Sequence, residues 1–487
     1  VTIVTVALPD MAVDLRTSFS GLQWVIDVYT LILAALLLGM GAIADQRGRR
    51  RLYLGGLVVF ALASLASGLS HDTGMLIAAR GVQGIGGAAM YATTIALLSA
   101  SYQGRDRGIA FGVWGAVSGA AAAAGPILGG LLTEHLSWRW IFFVNLPVSI
   151  IAIVLTRRGL PADRPAGTTR LDVPGLAAFT AGAAAVTYGL IRAAAHGWAA
   201  GATIGLLAAG AAGFALFVLA ERRSAAPLLD LSLLRRPAFS GVLAGALLLN
   251  AAAFAYLPFS SLWLQTVLRL DPVRAGLVGS APMSLAAFVV SALIGRFLHG
   301  SRPRWIIGSG LALVGAGALA QATLTGQSGS LALLPGLVVA GIGVGLATPT
   351  LVSSAMSAVP GRSAGMAAGA VNTARQLGFT FGVAVLGSAF ASRIGGLLRA
   401  GGLSAGAGHA VAGGQAGAVL GQAPAAGRGH LDQLIHTASA SGLNSALMVA
   451  GALGAAGTII VVLSLRGRRT QAARQDQPAA PVAAARG

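Results

Sequence analysis

The chain has 487 residues, of which 55% are hydrophobic and only 10% are charged, and its mean hydropathy is +0.78. This composition excludes an ordinary soluble domain and indicates a membrane protein with many spans. The formal net charge of +19 does not indicate nucleic-acid binding, because the arginines cluster in short gaps between apolar runs, where topology and anionic lipid headgroups explain them. The chain contains no cysteine, which excludes disulfides and thiolate metal sites.

Apolar runs near the 20 residues that a helix needs to cross hydrocarbon predict about fourteen spans. The opening run ends at Pro9 and is too short, so we expect it to be the outer half of a first helix whose start is missing. The other spans are predicted at 22–44, 52–69, 75–100, 108–132, 138–156, 173–192, 200–220, 238–264, 275–298, 305–324, 331–355, 364–391 and 443–465.

Arginine-rich gaps alternate with arginine-poor gaps along the chain, which is the pattern that the positive-inside rule requires. It predicts that both termini are cytoplasmic. The segment 395–441 is rich in Gly, Ala, Ser and His, which favours an extended outer loop, with a fifteenth span as the alternative. Residues 466–487 are predicted to be a disordered cytoplasmic tail.

An internal repeat divides the chain. Gly84-Ile85-Gly86 recurs as Gly341-Ile342-Gly343, and the same displacement of 257 positions relates 104–112 to 361–369. This displacement is too long for six spans with short loops. The sequence therefore predicts an all-α membrane fold with two six-helix bundles, 1–156 and 238–465, and two inserted spans within 157–237.

A charged turn lies between spans two and three. Its characteristic residues are Gly41, Asp45, Arg47, Gly48, Arg49 and Arg50. The turn resembles the loop motif of the major facilitator superfamily, specifically of its drug:proton antiporters with fourteen spans. The resemblance implies that Asp45 contacts the start of span thirteen near Ser363 and forms a latch that breaks during transport. The alternative is a basic loop that only sets topology.

Four further motifs resemble the same family. The stretch from Leu76 to Gly86 is similar to its fourth-span motif, which implies that Arg80 lies in the cavity and influences the proton site; the alternative is an arginine that snorkels to the outer surface. Segment 138–147 and the pair Asn372 and Arg375 also match the fourteen-span group. The antiporter motif of the fifth span is matched by Gly125, Pro126, Gly129 and Gly130. Ordinary glycine-mediated helix packing is the alternative for these residues.

Asp27 is the strongest candidate for a proton carrier. It is the only carboxylate clearly inside a predicted span. Burial favours the neutral form of a carboxyl group, which suits a residue that takes up and releases protons. The alternative is an interfacial aspartate in water at the outer mouth.

Polar and aromatic side chains within the spans are candidates for lining a drug-sized cavity, with ordinary packing as the alternative. They are Gln23, Tyr29, Gln83, Asn250, Phe254, Tyr256, Asn372 and Arg375. The sequence carries no phosphate-binding loop, metal-ligand cluster or nucleophile elbow, so neither an enzyme nor a cofactor other than the proton motive force is expected.

These features favour a monomeric, proton-coupled exporter of hydrophobic drug-like or antibiotic compounds in a bacterial cell membrane. Two alternatives stay open on the same fold: a transporter of an endogenous metabolite, and a membrane sensor or scaffold that transports nothing.

Overall fold

A computed structural model describes residues 2–102, 117, 121, 124–160, 172–224, 227–297, 302–359 and 364–465. Within these ranges the chain forms helices joined by turns, without a strand. The helices are α1 Thr2–Val6, α2 Leu8–Asp14, α3 Phe19–Arg47, α4 Arg49–Gly68, α5 Thr73–Ser101, α6 124–135, α7 Trp140–Phe143, α8 Asn145–Gly159, α9 Val173–His196, α10 Gly201–Arg223, α11 Leu231–Leu234, α12 Pro237–Ala253, α13 Leu257–Leu262, α14 Pro272–Gly279, α15 Ala281–Phe297, α16 Pro303–Gln321, α17 Leu334–Ser357, α18 Ala364–Ala400, α19 Ala405–Ala412, α20 Ala416–Gly421 and α21 Arg428–Ser464.

Within the described ranges, ten helical segments are long and apolar enough to cross a membrane, or eleven if the bent pair α14 and α15 forms one span. The all-helical fold is therefore confirmed, whereas the count of fourteen spans stays a prediction. Span five lies partly outside the described residues, as do the repeated loops at 104–112 and 361–369, and the whole of the predicted tail does so.

The repeated glycines make equivalent contacts in the two halves. A Cβ added at Gly84 of α5 would lie 2.8 Å from the backbone oxygen of Tyr29 in α3, and one added at Gly86 would meet α4. In the same way Gly341 of α17 packs on α15, and Gly343 packs on α16. Each half thus repeats one arrangement of three helices, which supports the predicted division into two bundles.

Spans nine and ten are broken, although continuous helices were predicted there. α12 ends at Ala253, and after a turn the chain continues as α13 and a π-helical turn, Trp263–Val267. Pro258 explains the break, because proline has no N–H to donate to the carbonyl of residue 254. α14 and α15 meet at Ser280 with a bend of 40°.

The prediction of an extended loop over 395–441 is wrong about its local structure. α18 continues to Ala400, α21 begins at Arg428, and the segment 401–427 contains α19 and α20. We call 401–427 the cap segment. Its alanines favour helix, and its side chains at Val411, Ala412 and Ala416 are buried against the protein core. Small side chains therefore pack here although the segment has few large ones.

The inserted helices α9 and α10 pack on each other through glycines. A Cβ at Gly213 would lie 2.6 Å from the Cα of Gly182, so only glycine allows this separation. α9 also packs against α3 and α18, one helix from each predicted bundle. Of the inserted pair, α9 therefore lies against the junction between the bundles.

Candidate functional site: the junction between the two halves

Asp27 lies in the middle of the contact between the two halves. Its relative exposure is 0%, and among the described residues neither carboxylate oxygen has a hydrogen-bond partner. Water therefore does not reach it in this conformation, in contrast to the alternative of an aspartate in the outer mouth. An ionised carboxylate without a partner is very costly at such a position, so the site favours a neutral, protonated side chain.

The face of α3 that carries Asp27 contacts α18. Gln23 Nε2 donates to the backbone oxygen of Val383 at 3.2 Å, and the hydroxyls of Thr30 and Thr380 are 2.8 Å apart. Because successive residues of a helix are about 100° apart, Asp27 projects within about 60° of both Gln23 and Thr30. The proton-carrier candidate therefore lies on the surface that separates if the two halves move apart.

Arg80 is buried in the core of the first half, with a relative exposure of 4%. Its Nε donates to the backbone oxygen of Val25 at 3.1 Å, its Nη1 donates to Gln83 Oε1 at 2.5 Å, and its guanidinium lies 4.4 Å from the centre of the Tyr29 ring. Gln83 Nε2 in turn donates to Ser64 Oγ at 2.6 Å. The alternative of an arginine that snorkels to the surface is therefore wrong.

Arg80 and Asp27 lie on opposite sides of α3. Arg80 contacts Val25 and Tyr29, which are each two residues from Asp27 and therefore about 160° from it around the helix. The proton-coupling pair suggested by the sequence is thus divided between two environments. Tyr29 and Gln83 belong with Arg80, whereas Gln23 belongs with Asp27.

The guanidinium of Arg80 has no carboxylate partner within the described part of the chain, and its Nη2 makes no hydrogen bond there. Hydrogen bonds and the Tyr29 ring partly offset the cost of this buried charge. This arrangement does not indicate that Arg80 stabilises the fold. Charged residues buried within membrane spans are generally retained for function or specificity.

The antiporter motif in α6 lies at a second contact between the halves. A Cβ at Gly130 would lie 2.7 Å from the backbone oxygen of Pro272, and a Cβ at Gly276 of α14 would lie 2.6 Å from that of Pro126. A Cβ at Gly129 would lie 2.8 Å from the backbone oxygen of Ile3. Gly125 is also buried. Close glycine packing, the alternative reading of this motif, is thus how it joins α6 to the other half.

We expect Gly130→Val to lower the melting temperature of the purified protein, because the added side chain must displace the backbone of α14. Overpacking of this kind costs about 1–3 kcal/mol. Differential scanning fluorimetry in detergent measures the effect. The control is Gly205→Val in α10, where an added Cβ has no described atom within 4 Å. Equal melting temperatures for both variants would show that the contact between α6 and α14 is not tight in solution.

The loop motif forms a sharp turn at the opposite end of α3. Gly48 has φ of +94°, which favours glycine, and it separates α3 from α4. Arg50 Nη2 donates to the backbone oxygen of Arg157 at 2.8 Å, whereas Arg47 is exposed. A Cβ added at Gly41 would meet no described atom within 4 Å.

The proposed latch lies outside the described residues, because neither the side chain of Asp45 nor Ser363 is among them.

At the end of the molecule where α3 begins, which we call the Phe19 end, Asp14 accepts hydrogen bonds from the Trp138 indole at 3.0 Å and from Arg139 Nη1 at 2.6 Å. These two donors hold the pKa of Asp14 below its usual value.

The cavity candidates in the second half are mostly engaged in local contacts. Tyr256 is fully buried and accepts a hydrogen bond from Gln321 Nε2 at 3.3 Å, and Asn250 Nδ2 donates to the backbone oxygen of Ala246 at 3.1 Å. Phe254 lies at the break after α12. In α18, the candidates Asn372 and Arg375 are partly buried.

Sequence reasoning missed Gln321, Thr30 and Thr380. Each is a single polar residue in an apolar run, and the only available signal was its isolation there. The structure shows that Gln321 bonds Tyr256, whereas the two threonines bond each other across the junction.

The two halves meet tightly at the Phe19 end. The ring of Phe259 lies 5.8 Å from that of Phe19 and 5.2 Å from that of Phe390. Gln265 Nε2 donates to the backbone oxygen of Val6 at 2.7 Å, and in the cap segment Gln415 Nε2 donates to that of Thr17 at 3.3 Å. The junction is therefore closed at this end.

Comparison with known proteins identifies the family of this two-bundle fold. The family model described as Major Facilitator Superfamily matches residues 1–383. The chain belongs to the Major Facilitator Superfamily. Multidrug resistance protein Stp of Mycobacterium tuberculosis is 36% identical over 391 residues, which cover 80% of this chain and 72% of that protein. Puromycin resistance protein pur8 of Streptomyces alboniger is 38% identical over 391 residues, which cover 79% of this chain and 77% of that protein.

Solved structures show the same Major Facilitator Superfamily fold. A bacterial homologue of the human lysosomal transporter Spinster, crystallised in an inward-facing and unoccupied conformation, matches with a TM-score of 0.63 at 17% identity. The match covers 96% of this chain and 93% of that chain. The resemblance inferred from the motifs is confirmed: the protein is a multi-pass membrane transporter of this superfamily and not an enzyme. Among the described residues, no group of three or more His, Cys, Asp or Glu side chains is arranged to hold a metal ion.

Proposed function

We propose that the protein is a proton-coupled antiporter that exports hydrophobic drug-like or antibiotic compounds across a bacterial cell membrane. The resistance functions named for its relatives support the substrate class. The observation that carries the coupling is Asp27, which is fully buried between the two halves and has no hydrogen-bond partner in the described part of the chain. An ionised Asp27 would oppose closure of the junction, because closure would bury its charge.

The proposal assigns the arginine-rich end, near Arg47, to the cytoplasm and the Phe19 end to the outside, with both termini cytoplasmic. On this assignment the structure is closed toward the outside. The arginines would face anionic lipid headgroups at the cytoplasmic surface, and we expect a monomer to be sufficient for transport.

In this proposal the protonation state of Asp27 controls whether the Phe19 end of the junction opens or closes. When the Phe19 end opens, α3 and α18 separate, and water reaches Asp27, which binds a proton from outside. The neutral side chain can be buried again, so the junction closes. After the proton leaves toward the cytoplasm, the ionised carboxylate favours hydration and therefore reopening, which releases the exported compound outside. The membrane potential contributes about 2.3 kcal/mol per charge per 100 mV, in addition to the pH gradient.

Everted membrane vesicles test the direction of transport. An acid interior should drive puromycin or a hydrophobic fluorescent dye into the vesicles, and an uncoupler should stop the accumulation. An importer of a metabolite that uses the same gradient would move its substrate in the opposite direction. A sensor or scaffold would produce no flux above that of vesicles without the protein. Either result would contradict the proposed exporter.

Arg80 is proposed as a positioning residue for coupling, since it contacts Val25 and Tyr29 on the back of the Asp27 helix. We expect Arg80→Met to reduce proton-driven transport at least about tenfold while leaving the melting temperature unchanged or higher. The variant loses the hydrogen bonds to Val25 and Gln83, but it also removes the desolvation cost of a charge that has no carboxylate partner among the described residues, and the two effects offset each other. The measurements are vesicle uptake and thermal unfolding.

The control is Arg51→Met at an exposed arginine, which should change neither quantity. If Arg80→Met unfolds the protein, Arg80 stabilises the fold. If the variant transports normally, Arg80 has no part in coupling.

A further inference from the structure

The inserted helix α9 follows the seam between α3 and α18. Near one end of this contact, a Cβ at Gly39 of α3 would lie 3.1 Å from Leu176 Cδ2 of α9. Near the other end, the rings of Trp24 and Tyr188 are 5.8 Å apart. Helix α9 thus crosses about four turns of α3 rather than touching it at one point.

These two contacts show which turn of α9 lies beside Asp27 of α3. The sequence numbers increase along α3 while they decrease along α9, so the helices are antiparallel. Asp27 is three residues beyond Trp24, which places it level with the turn of α9 that precedes Tyr188. Thr187 in that turn is fully buried.

Helix α9 also contacts the other side of the seam. Leu190 and Ile191 are clustered with Ala384 of α18, and Trp24 packs against the same cluster. A few residues earlier, Phe179 and Ala183 belong to one buried cluster with Leu31 of α3. Helix α9 therefore bridges both helices above and below the level of Asp27.

Asp27 is thereby enclosed from three directions. The Arg80 cluster occupies the opposite side of α3, α18 lies in front with Thr380, and α9 lies across the third side, where it contacts both α3 and α18. We propose that α9 forms the membrane-side wall of the Asp27 site. The first of the two inserted spans is then part of the coupling site and not merely a linker between bundles.

The wall has a clear physical role. If α3 and α18 separated without α9, the seam would also open sideways, and a charged carboxylate facing hydrocarbon is strongly unfavourable. With α9 across the seam, Asp27 exchanges its proton only with water that enters from the ends. This inference rests on the proposed role of Asp27 as the proton carrier.

A hydrophobic carbodiimide tests the wall directly, because it dissolves in the bilayer and reacts with protonated carboxyl groups that lipid can reach. In membranes containing the native protein, we expect slow labelling of Asp27, with Asp27→Asn defining the background by mass spectrometry. Ala183→Phe adds bulk to the seam face of α9 and should accelerate labelling at least tenfold. Ala181→Phe adds the same bulk on an exposed face of α9 and should leave the rate unchanged.

Trp24→Ala provides a second route, since it removes the ring contact with Tyr188 without adding bulk, and it replaces Ala183→Phe if that variant does not insert. The proposal that α9 shields Asp27 from lipid would be contradicted by fast labelling of the native protein. An unchanged labelling rate in Ala183→Phe or Trp24→Ala, when the variant is inserted in the membrane, would contradict it as well. Labelling does not require transport. Normal proton-driven export by Asp27→Asn would therefore contradict the proposed function, whereas the labelling rates would still decide whether α9 shields this position.

Discussion

Asp27→Asn is expected to abolish proton-driven export while the protein still folds and inserts. Asparagine is close to aspartate in shape but cannot bind and release a proton, so the junction can close without being coupled to the gradient. We expect uptake into everted vesicles to fall at least tenfold, to the level of vesicles without the protein. The melting temperature should be unchanged or higher, because a neutral amide replaces a buried carboxyl group for which the described residues provide no hydrogen-bond partner.

The matched control is Asp72→Asn. Asp72 is exposed and caps α5 by accepting a hydrogen bond from the backbone N–H of Met75 at 2.9 Å, a role that asparagine also fills. Both variants remove one carboxylate, but only Asp27 lies between the halves. Native, uncoupler-sensitive export by Asp27→Asn at native expression would place proton transfer on another residue.

Cross-linking the cap segment to the first half is expected to stop transport reversibly. Gln415 donates to the backbone oxygen of Thr17 across the junction, and this contact must break if the Phe19 end opens. Because the chain has no cysteine, the two introduced by Thr17→Cys and Gln415→Cys are the only ones that can form a disulfide within the chain. Oxidation should reduce uptake at least tenfold, and a reductant should restore it.

A second cysteine pair at the same end controls for oxidation itself. Arg269 and Asp432 form an ion pair at 3.3 Å, and both lie in the second half. Replacing them by cysteines and oxidising the pair should leave transport intact, because these residues move together. If the Thr17–Gln415 cross-link forms in high yield and transport continues, the Phe19 end does not need to open at the cap segment.

The sequence was sufficient to locate features that differ sharply from their local surroundings. The isolated acid at Asp27 and the turn ending at Gly48 are visible because charge in an apolar run and glycine before a basic cluster are rare. It was insufficient where the outcome depends on which helices become neighbours. Arg80 and Asp27 were grouped by function, but α5 packs on one side of α3 and α18 on the other, which separates them.

The cap segment and Pro258 show two further limits. The cap has few large apolar residues, which predicted a loop, yet small side chains such as Ala412 and Ala416 are buried because they allow close contact. At Pro258 the apolar run is uninterrupted, so hydropathy alone predicted one helix, whereas the missing backbone N–H breaks it. In the cap segment the helix propensity of alanine was outweighed by the scarcity of large apolar residues, and at Pro258 the proline was outweighed by the hydropathy of the run.

The contact of Gly130 with Pro272, and of Gly276 with Pro126, joins main chain to main chain. At these two points the nearest described atoms are main-chain atoms, so no long side chain has to change rotamer before α6 and α14 separate. The activation barrier for separating the two helices there is therefore low. If the halves separate at this contact during the proposed transport cycle, it can therefore open and re-form without repacking of side chains.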